Sequence, residues 1–133
     1  MGEPLDVGIL GATGMVGQQF IRLLAAHPWF RVDWLAASER SEGREYSEAT
    51  SWRLGDVLPP DVVGRRLQPC TPGRGPRLVF SALDAAAADT IEPAFAAAGH
   101  IVVSNARSFR MADDVPLLIP EVNPDHLALI DVQ

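Results

Sequence analysis

The chain has 133 residues, of which 47% are hydrophobic, a length and composition that suit one domain with a buried core. Its formal charge is −6, from 17 acidic and 11 basic residues, and no run of Lys or Arg could neutralise a nucleic-acid backbone. A single cysteine excludes a disulfide framework, and the sequence shows no signal peptide and no apolar segment of membrane-spanning length. We therefore expect a cytoplasmic protein that binds neither nucleic acid nor membrane.

An apolar run over residues 6–10 predicts a buried strand, and a helical pattern over residues 14–26 follows it. Between and within them lie Gly11, Gly14 and Gly17. The unpaired N–H groups and dipole of a helix start attract a pyrophosphate, so the stretch predicts a dinucleotide-binding turn. In it, Gly11 permits the tight turn, Gly14 lets the backbone approach phosphates, and Gly17 lets the helix lie close to the strand. Glycines that serve packing alone are the alternative.

The rest of the chain alternates between strand and helix patterns. We predict a second strand at 31–37 parallel to the first, buried strands at 77–82 and 100–104, a weak strand at 66–69 and a short one at 117–119. A helix is predicted at 85–98. Residues 38–60 read as an irregular excursion, and residues 125–133 as helical or extended. This order predicts an α/β fold: a Rossmann-like, doubly wound, mostly parallel sheet with helices on both faces.

The residues after the second predicted strand bear on the choice between NAD and NADP. Ser38, Arg40 and Ser41 are suited to hold a 2′-phosphate by charge-assisted hydrogen bonds, which favours NADP. Glu39 and Glu42 argue the other way, because either carboxylate can pair with the arginine or hydrogen-bond the ribose hydroxyls of NAD. A solvated loop without a ligand is the third interpretation.

Two further turns follow later strands, at the edge of the sheet where ligands bind in open α/β folds. Ser81 and Asn105 add hydrogen-bonding groups there, although both can instead cap the segments that follow. Arg107 and Arg110 crowd the second turn and suggest an anion, with an ion pair to a nearby aspartate, 113 or 114, as the structural alternative.

Five motifs together resemble one family, the aspartate-semialdehyde dehydrogenases of the archaeal and fungal-like branch. They are Gly-Ala-Thr-Gly-Met-Val-Gly at 11–17, Ala-Ala-Ser-Glu-Arg-Ser-Glu-Gly at 36–43, Val-Phe-Ser-Ala-Leu at 79–83, Ser-Asn-Ala-Arg-Ser-Phe-Arg-Met at 104–111 and Leu-Leu-Ile-Pro-Glu-Val-Asn-Pro-Asp-His-Leu at 117–127. The last two are more specific than the glycine turn, and the resemblance covers nearly the whole chain.

The resemblance implies an oligomeric enzyme that reduces L-aspartyl 4-phosphate to L-aspartate 4-semialdehyde with NADPH and releases phosphate, in the biosynthesis of lysine, threonine and methionine. It implies that Arg110 binds the substrate phosphate or inorganic phosphate. The cofactor-binding residues it implies are Gly11, Thr13, Gly14, Met15, Val16, Gly17, Ser38, Arg40, Ser41, Ser81, Leu83 and Asn105.

In this family a cysteine thiolate attacks the acyl phosphate and a histidine acts as acid and base, and the resemblance places both beyond residues 1–133. We therefore expect an NADP-binding domain that is inactive without a separate catalytic and oligomerisation domain. Cys70 has no evident histidine partner and is interpreted as structural, and His27, His100 and His126 lack the spacing of metal ligands. A malonyl-CoA reductase, which resembles this branch, and a stand-alone dinucleotide-binding module are the alternatives.

Overall fold

The computed structural model describes residues 2–55 and 57–133. In chain order its elements are β1 (Leu5–Leu10), α1 (Met15–Leu24), β2 (Phe30–Ala37), α2 (Tyr46–Ala49), α3 (Pro60–Val63), β3 (Gln68–Pro69), β4 (Leu78–Ser81), α4 (Ala85–Ala97), β5 (Ile101–Ser104) and a 3₁₀ helix (Pro124–Val132). All strand pairs are parallel, in the order β3-β2-β1-β4-β5. The chain moves outwards from β1 to β3 and then returns to β4 on the other side, so the order reverses between β1 and β4. The predicted Rossmann-like α/β fold is confirmed.

Two apolar layers lie on the two faces of this sheet. Ile9 of β1 packs with Ile21 of α1, whereas Leu10 belongs with Val79 and Phe95 to a second cluster under α4. Successive side chains of a strand point to opposite faces, so α1 and α4 cover opposite sides of the sheet. This confirms the prediction of helices on both faces.

A bulge in β2 controls which of its side chains enter each layer. Val7 of β1 pairs with Val32, but the next residue, Gly8, pairs with Trp34, so Asp33 is an extra residue in β2. An extra residue reverses the inward and outward alternation of the residues that follow it. Trp34 therefore packs against the α4 layer, although Val32 packs against the α1 layer.

Two of the predicted strands are corrected. The strand at 100–104 was expected to be buried, but β5 is at the edge of the sheet, and Ile101 and Val103 are 49% and 47% exposed. The expected strand at 117–119 is absent, because side chains take its backbone groups: the amide of Ile119 donates to Asn123 Oδ1 and that of Leu117 to His126 Nδ1. A run of apolar residues predicts a strand only where another strand is available to pair with it.

Other boundaries shift by a few residues. The first helix, predicted to continue to residue 26, ends at Leu24, and Ala26 has a positive φ of 58° that no α-helix continues through. The region predicted as irregular contains α2 and the start of α3, and its residue Asp56 lies outside the described residues. No described helix is both long enough and apolar enough to cross a membrane.

Candidate dinucleotide site

A cleft of about 620 Å³ lies at the carboxyl ends of β1, β2 and β4, beside the point where the strand order reverses. Open α/β sheets bind their ligands at this edge. The residues that line it are Gly11, Thr13, Gly14, Ala37, Ser38, Glu39, Glu42, Pro69, Cys70, Thr71, Ala82, Leu83, Asp84, Ala87 and Ile91. Apolar side chains from α4 and polar groups from the turns therefore face one another across the cleft.

In the glycine turn, Gly11 and Gly17 have the close backbone contacts that the sequence predicts for them. Gly11 has a φ of 76°, and a Cβ on it would lie 2.9 Å from the carbonyl oxygen of Ala82. A Cβ on Gly17 would lie 2.8 Å from the Cα of Ala12, so α1 can approach the turn this closely only with glycine there. The prediction for Gly14 concerns a ligand and not the packing of the protein, and the atom nearest to its Cβ position is 3.8 Å away. Gly14 lines the cleft, so its close approach to phosphates stays a prediction.

The turn leaves several backbone donors unpaired at the start of α1. The amides of Gly11 and Ala12 both donate to the carbonyl of Ala36, each at 3.0 Å. Among the described residues, no acceptor takes the amides of Thr13, Met15 or Val16, and no side chain caps the helix. Unpaired amides at a helix N-terminus, where the dipole is positive, are suited to bind an anion.

The turn after β2 brings the predicted 2′-phosphate residues together without placing all of them in the cleft wall. Ser38 lines the cleft, and its carbonyl accepts the amides of Ser41 and Glu42 at 2.9 and 3.1 Å. Arg40 and Ser41 are outside the wall, in the same tight turn. Glu39 and Glu42 do line it, so the acidic residues that favour NAD face the cleft as well.

Arg40 is exposed and has no ion pair or hydrogen bond within the described residues. Among the described residues, Arg40 therefore forms no ion pair with Glu39 or Glu42, which was one of the alternatives from the sequence. The guanidinium is free to bind an anionic ligand at the end of β2.

Of the residues predicted at the other side of the cleft, Leu83 lines the wall, whereas the buried Ser81 and the exposed Asn105 do not. Ser81 is fully buried, and its hydroxyl has no partner among the described residues. Its carbonyl accepts the amide of Asn105 at 3.0 Å, so the two predicted residues are joined directly. Arg110 Nη2 donates to the carbonyl of Asn105 at 2.9 Å, and no described ion pair joins Arg110 to either aspartate nearby.

A second set of contacts fixes the loop after β5. The hydroxyl of Ser104 donates to the buried carboxylate of Glu92 on α4 and accepts the amide of Ala106, the latter at 2.9 Å. Asn105 lies between these two anchored residues. The loop that carries it is therefore tied to α4 as well as to β4.

Sequence reasoning missed two buried polar residues that contact the glycine turn. The Tyr46 hydroxyl donates to the carbonyl of Ala12 at 2.8 Å, and Gln18 Nε2 donates to the carbonyl of Thr13 at 3.0 Å. Tyr46 is 0% exposed and Gln18 is 2% exposed. One signal was available: Gln18 is a polar residue on the apolar face of the amphipathic helix α1. Nothing local to Tyr46 indicates which carbonyl it meets.

Cys70 lines the cleft but is not activated. Burial raises the pKa of its thiol, and a backbone hydrogen bond to Gly11 only partly opposes this. The thiol therefore remains protonated at neutral pH, in keeping with the structural role predicted for it. Within residues 2–55 and 57–133, no group of three His, Cys, Asp or Glu side chains is arranged to hold a metal ion.

A comparison with known protein families also indicates a dinucleotide-binding domain. The profile described as semialdehyde dehydrogenase, NAD binding domain, matches residues 6–130. The chain belongs to this family. The sequence resemblance to the aspartate-semialdehyde dehydrogenases is thereby confirmed at the level of the domain.

Individual relatives of this semialdehyde dehydrogenase domain are similar over the same region. The aspartate-semialdehyde dehydrogenase of Archaeoglobus fulgidus is 52% identical over 129 residues, which is 96% of this chain and 38% of that protein. The malonyl CoA reductase (NADP) of Metallosphaera sedula is 38% identical over 135 residues, which is 100% of this chain and 38% of that protein. The chain thus spans little more than a third of the length of these relatives.

A crystal structure of the aspartate-semialdehyde dehydrogenase of Candida albicans with NADP superposes on the domain with a TM-score of 0.91 and 45% identity. The alignment covers 95% of this chain and 36% of the Candida chain. The similarity therefore extends to the fold of the whole semialdehyde dehydrogenase domain described here.

Proposed function

We propose that residues 1–133 form the NADP-binding domain of an aspartate-semialdehyde dehydrogenase. The observation that carries the proposal is the cleft at the switch point of the sheet: Thr13 and Gly14 line it, and the amides of Thr13, Met15 and Val16 at the start of α1 have no acceptor among the described residues. In the proposed reaction, a hydride replaces the phosphate group on the acyl carbon of L-aspartyl 4-phosphate, and the leaving phosphate takes up a proton. NADPH, when bound, supplies that hydride.

The proposed cofactor lies along the cleft. The glycine turn and the start of α1 are proposed to bind the pyrophosphate, with Gly14 as the point of closest approach. Ser38, Arg40 and Ser41 are proposed to bind the 2′-phosphate, and the free guanidinium of Arg40 is the main support for NADP over NAD. Leu83, Ser81 and Asn105 are proposed to form the end that receives the nicotinamide.

We assign binding and orientation of the cofactor to this domain, and covalent and proton-transfer chemistry to a second domain. No described group in the cleft is an activated nucleophile, because the Cys70 thiol is held protonated. The thiolate and the histidine that the family resemblance implies are proposed to belong to that second domain, together with the contacts of a homo-oligomer. The whole enzyme is proposed to act in the cytoplasm, in amino-acid biosynthesis.

Calorimetric titration of the chain with NADPH and, in parallel, NADH tests the proposal. NADPH is expected to bind more tightly, without any aldehyde dehydrogenase turnover. Arg40→Ala is expected to weaken NADPH binding by about 1.5–3 kcal/mol, the scale of a hydrogen bond to a charged group, and to leave NADH nearly unchanged. Arg44→Ala, which removes an exposed arginine engaged with the carbonyl of Glu48, is the matched control. Equal losses for both cofactors in Arg40→Ala would refute the 2′-phosphate assignment.

A malonyl-CoA reductase is the second candidate, favoured by the 38% identity to the Metallosphaera sedula enzyme. The two candidates differ in what Arg110 meets: a phosphate group in the first, and a carboxylate or thioester in the second. For the first candidate, inorganic phosphate is expected to bind the chain when NADPH is bound, and the Arg110→Ala variant is expected to lose this phosphate binding. Malonate that binds through Arg110 in preference to phosphate would favour the second candidate.

A further inference from the structure

Resting on the proposed function, we propose that Tyr46 and Gln18 are positioning residues for the pyrophosphate: they hold two carbonyl groups of the glycine turn away from the cleft, and Tyr46 thereby aims the amide of Thr13 into it. Neither residue lines the cleft, and both are buried behind it. Their effect on the ligand is exerted through the backbone of Ala12 and Thr13.

Tyr46 fixes the peptide group between Ala12 and Thr13. Its hydroxyl donates to the carbonyl oxygen of Ala12 at 2.8 Å. A trans peptide group is planar, with its C=O and N–H pointing in opposite directions. When the oxygen is held towards Tyr46, the N–H of Thr13 points away from Tyr46, and Thr13 is a residue of the cleft wall. No acceptor among the described residues takes that N–H.

Gln18 fixes the next carbonyl, that of Thr13. The N–H of the same peptide group belongs to Gly14 and donates to the carbonyl of Gly11 at 3.4 Å, so Gln18 keeps an oxygen out of the cleft but supplies no free donor. Its Nε2 donates to the carbonyl oxygens of Thr13 and Ser51 at 3.0 and 3.1 Å, and its Oε1 accepts the amide of Arg53 at 2.9 Å. One buried side chain therefore joins the glycine turn to the segment that follows α2. Three hydrogen bonds leave the amide group of Gln18 little freedom to rotate.

The orientation of these carbonyl groups matters for a negatively charged ligand. A carbonyl oxygen that rotated into the cleft would repel a pyrophosphate, and rotation of the Ala12–Thr13 peptide would also remove the amide of Thr13 as a donor. The 2′-phosphate residues are in the separate turn after β2, where neither Tyr46 nor Gln18 forms a described hydrogen bond. Loss of either residue should thus weaken only ligands that carry a pyrophosphate.

The test compares two ligands in the same variants. NADPH contains the pyrophosphate, whereas adenosine 2′-monophosphate contains only the adenosine and the 2′-phosphate. Tyr46→Phe, which removes one oxygen atom, is expected to weaken NADPH binding about 3- to 10-fold, the range of one neutral hydrogen bond, and to leave adenosine 2′-monophosphate within twofold. Gln18→Met, a substitution of similar shape without the hydrogen bonds, is expected to show the same selectivity.

Ser108→Ala is the matched control, because the Ser108 hydroxyl also donates to a backbone carbonyl, that of Ala85, away from the glycine turn. Equal weakening of both ligands in Tyr46→Phe and Gln18→Met would indicate a general structural role and overturn the inference, as would unchanged NADPH binding. If the unsubstituted chain binds adenosine 2′-monophosphate and NADPH with equal affinity, no pyrophosphate subsite exists and the inference falls. If it binds neither, the proposed function fails first.

Discussion

Gly14 and Gly17 belong to the same turn, but the structure predicts different effects when alanine replaces them: a loss of stability at Gly17 and a loss of cofactor binding at Gly14. A Cβ on Gly17 would lie nearest to the carbonyl oxygen of Gly11, and 2.8 Å from the Cα and 2.9 Å from the carbonyl carbon of Ala12, all of them backbone atoms that cannot rotate away. Overpacking of this kind costs about 3 kcal/mol at the upper end of the usual range. The higher helix propensity of alanine offsets about 1 kcal/mol, so the net loss is about 2 kcal/mol.

For Gly14→Ala the nearest atom is 3.8 Å from the new Cβ, and the backbone, with φ −76° and ψ 172°, is open to any residue. Its stability should remain within about 0.5 kcal/mol of the original chain. The new methyl group would instead occupy space towards the cleft, where the phosphates are proposed to approach. Gly14→Ala is therefore expected to weaken NADPH binding at least ~10-fold, by analogy with the close backbone approach that glycine permits in such turns.

Urea denaturation and thermal melting measure the first effect, and calorimetric titration with NADPH measures the second. Gly17→Ala should lower the melting temperature by about 8 °C, at about 4 °C per kcal/mol for a domain of this size. The reasoning is refuted if Gly17→Ala is as stable as the original chain. It is refuted equally if Gly14→Ala loses stability by the same amount as Gly17→Ala.

Two further predictions concern the titrating groups near the cleft. Because burial raises the pKa of the Cys70 thiol, iodoacetamide should alkylate Cys70 at pH 8 several-fold more slowly in the folded chain than in the unfolded chain. Bound NADPH should slow the alkylation further. Equal rates in the folded and unfolded chains would contradict this prediction. Burial also raises the pKa of Tyr46 to about 12, above its unfolded value of 10.0, so its contribution to stability is complete below pH 10 and is lost as the pH rises to 12. The loss should reach about 2–3 kcal/mol in urea titrations and should be absent in Tyr46→Phe, which lacks the titrating hydroxyl; an identical alkaline profile in that variant would rule out Tyr46 as its source.

The parts of the site that the sequence predicted are those whose physics is local. A positive φ at Gly11 and a close helix approach at Gly17 both follow from glycine spacing at a strand-to-helix junction. The same holds for the alternation of strands and helices, which determines a doubly wound sheet once the connections are assumed to be short. The assignments of ligand-binding roles to individual residues stay predictions.

The features that were missed depend on residues far apart in the chain. Gln18 meets Ser51 and Arg53, and Tyr46 meets Ala12, across more than 30 positions in each case. The burial of a strand is also a long-range property. The apolar residues of β5 were predicted to be buried, yet nothing in their own sequence indicates that the strand is at the edge of the sheet.

The extra residue in β2 gives that strand one position at which a residue can be lost without a change of register. Asp33 is five positions before Ser38, where the chain leaves the sheet to form the turn that we propose faces the adenosine. Removing Asp33 would close the bulge and leave Val32 paired with Val7 and Trp34 with Gly8, so Trp34 would stay in its layer and the turn after β2 would stay in place. A deletion in β2 after the bulge would instead draw that turn back by one residue, about 3.3 Å, and change its distance from the glycine turn while leaving every proposed ligand-binding residue in the chain.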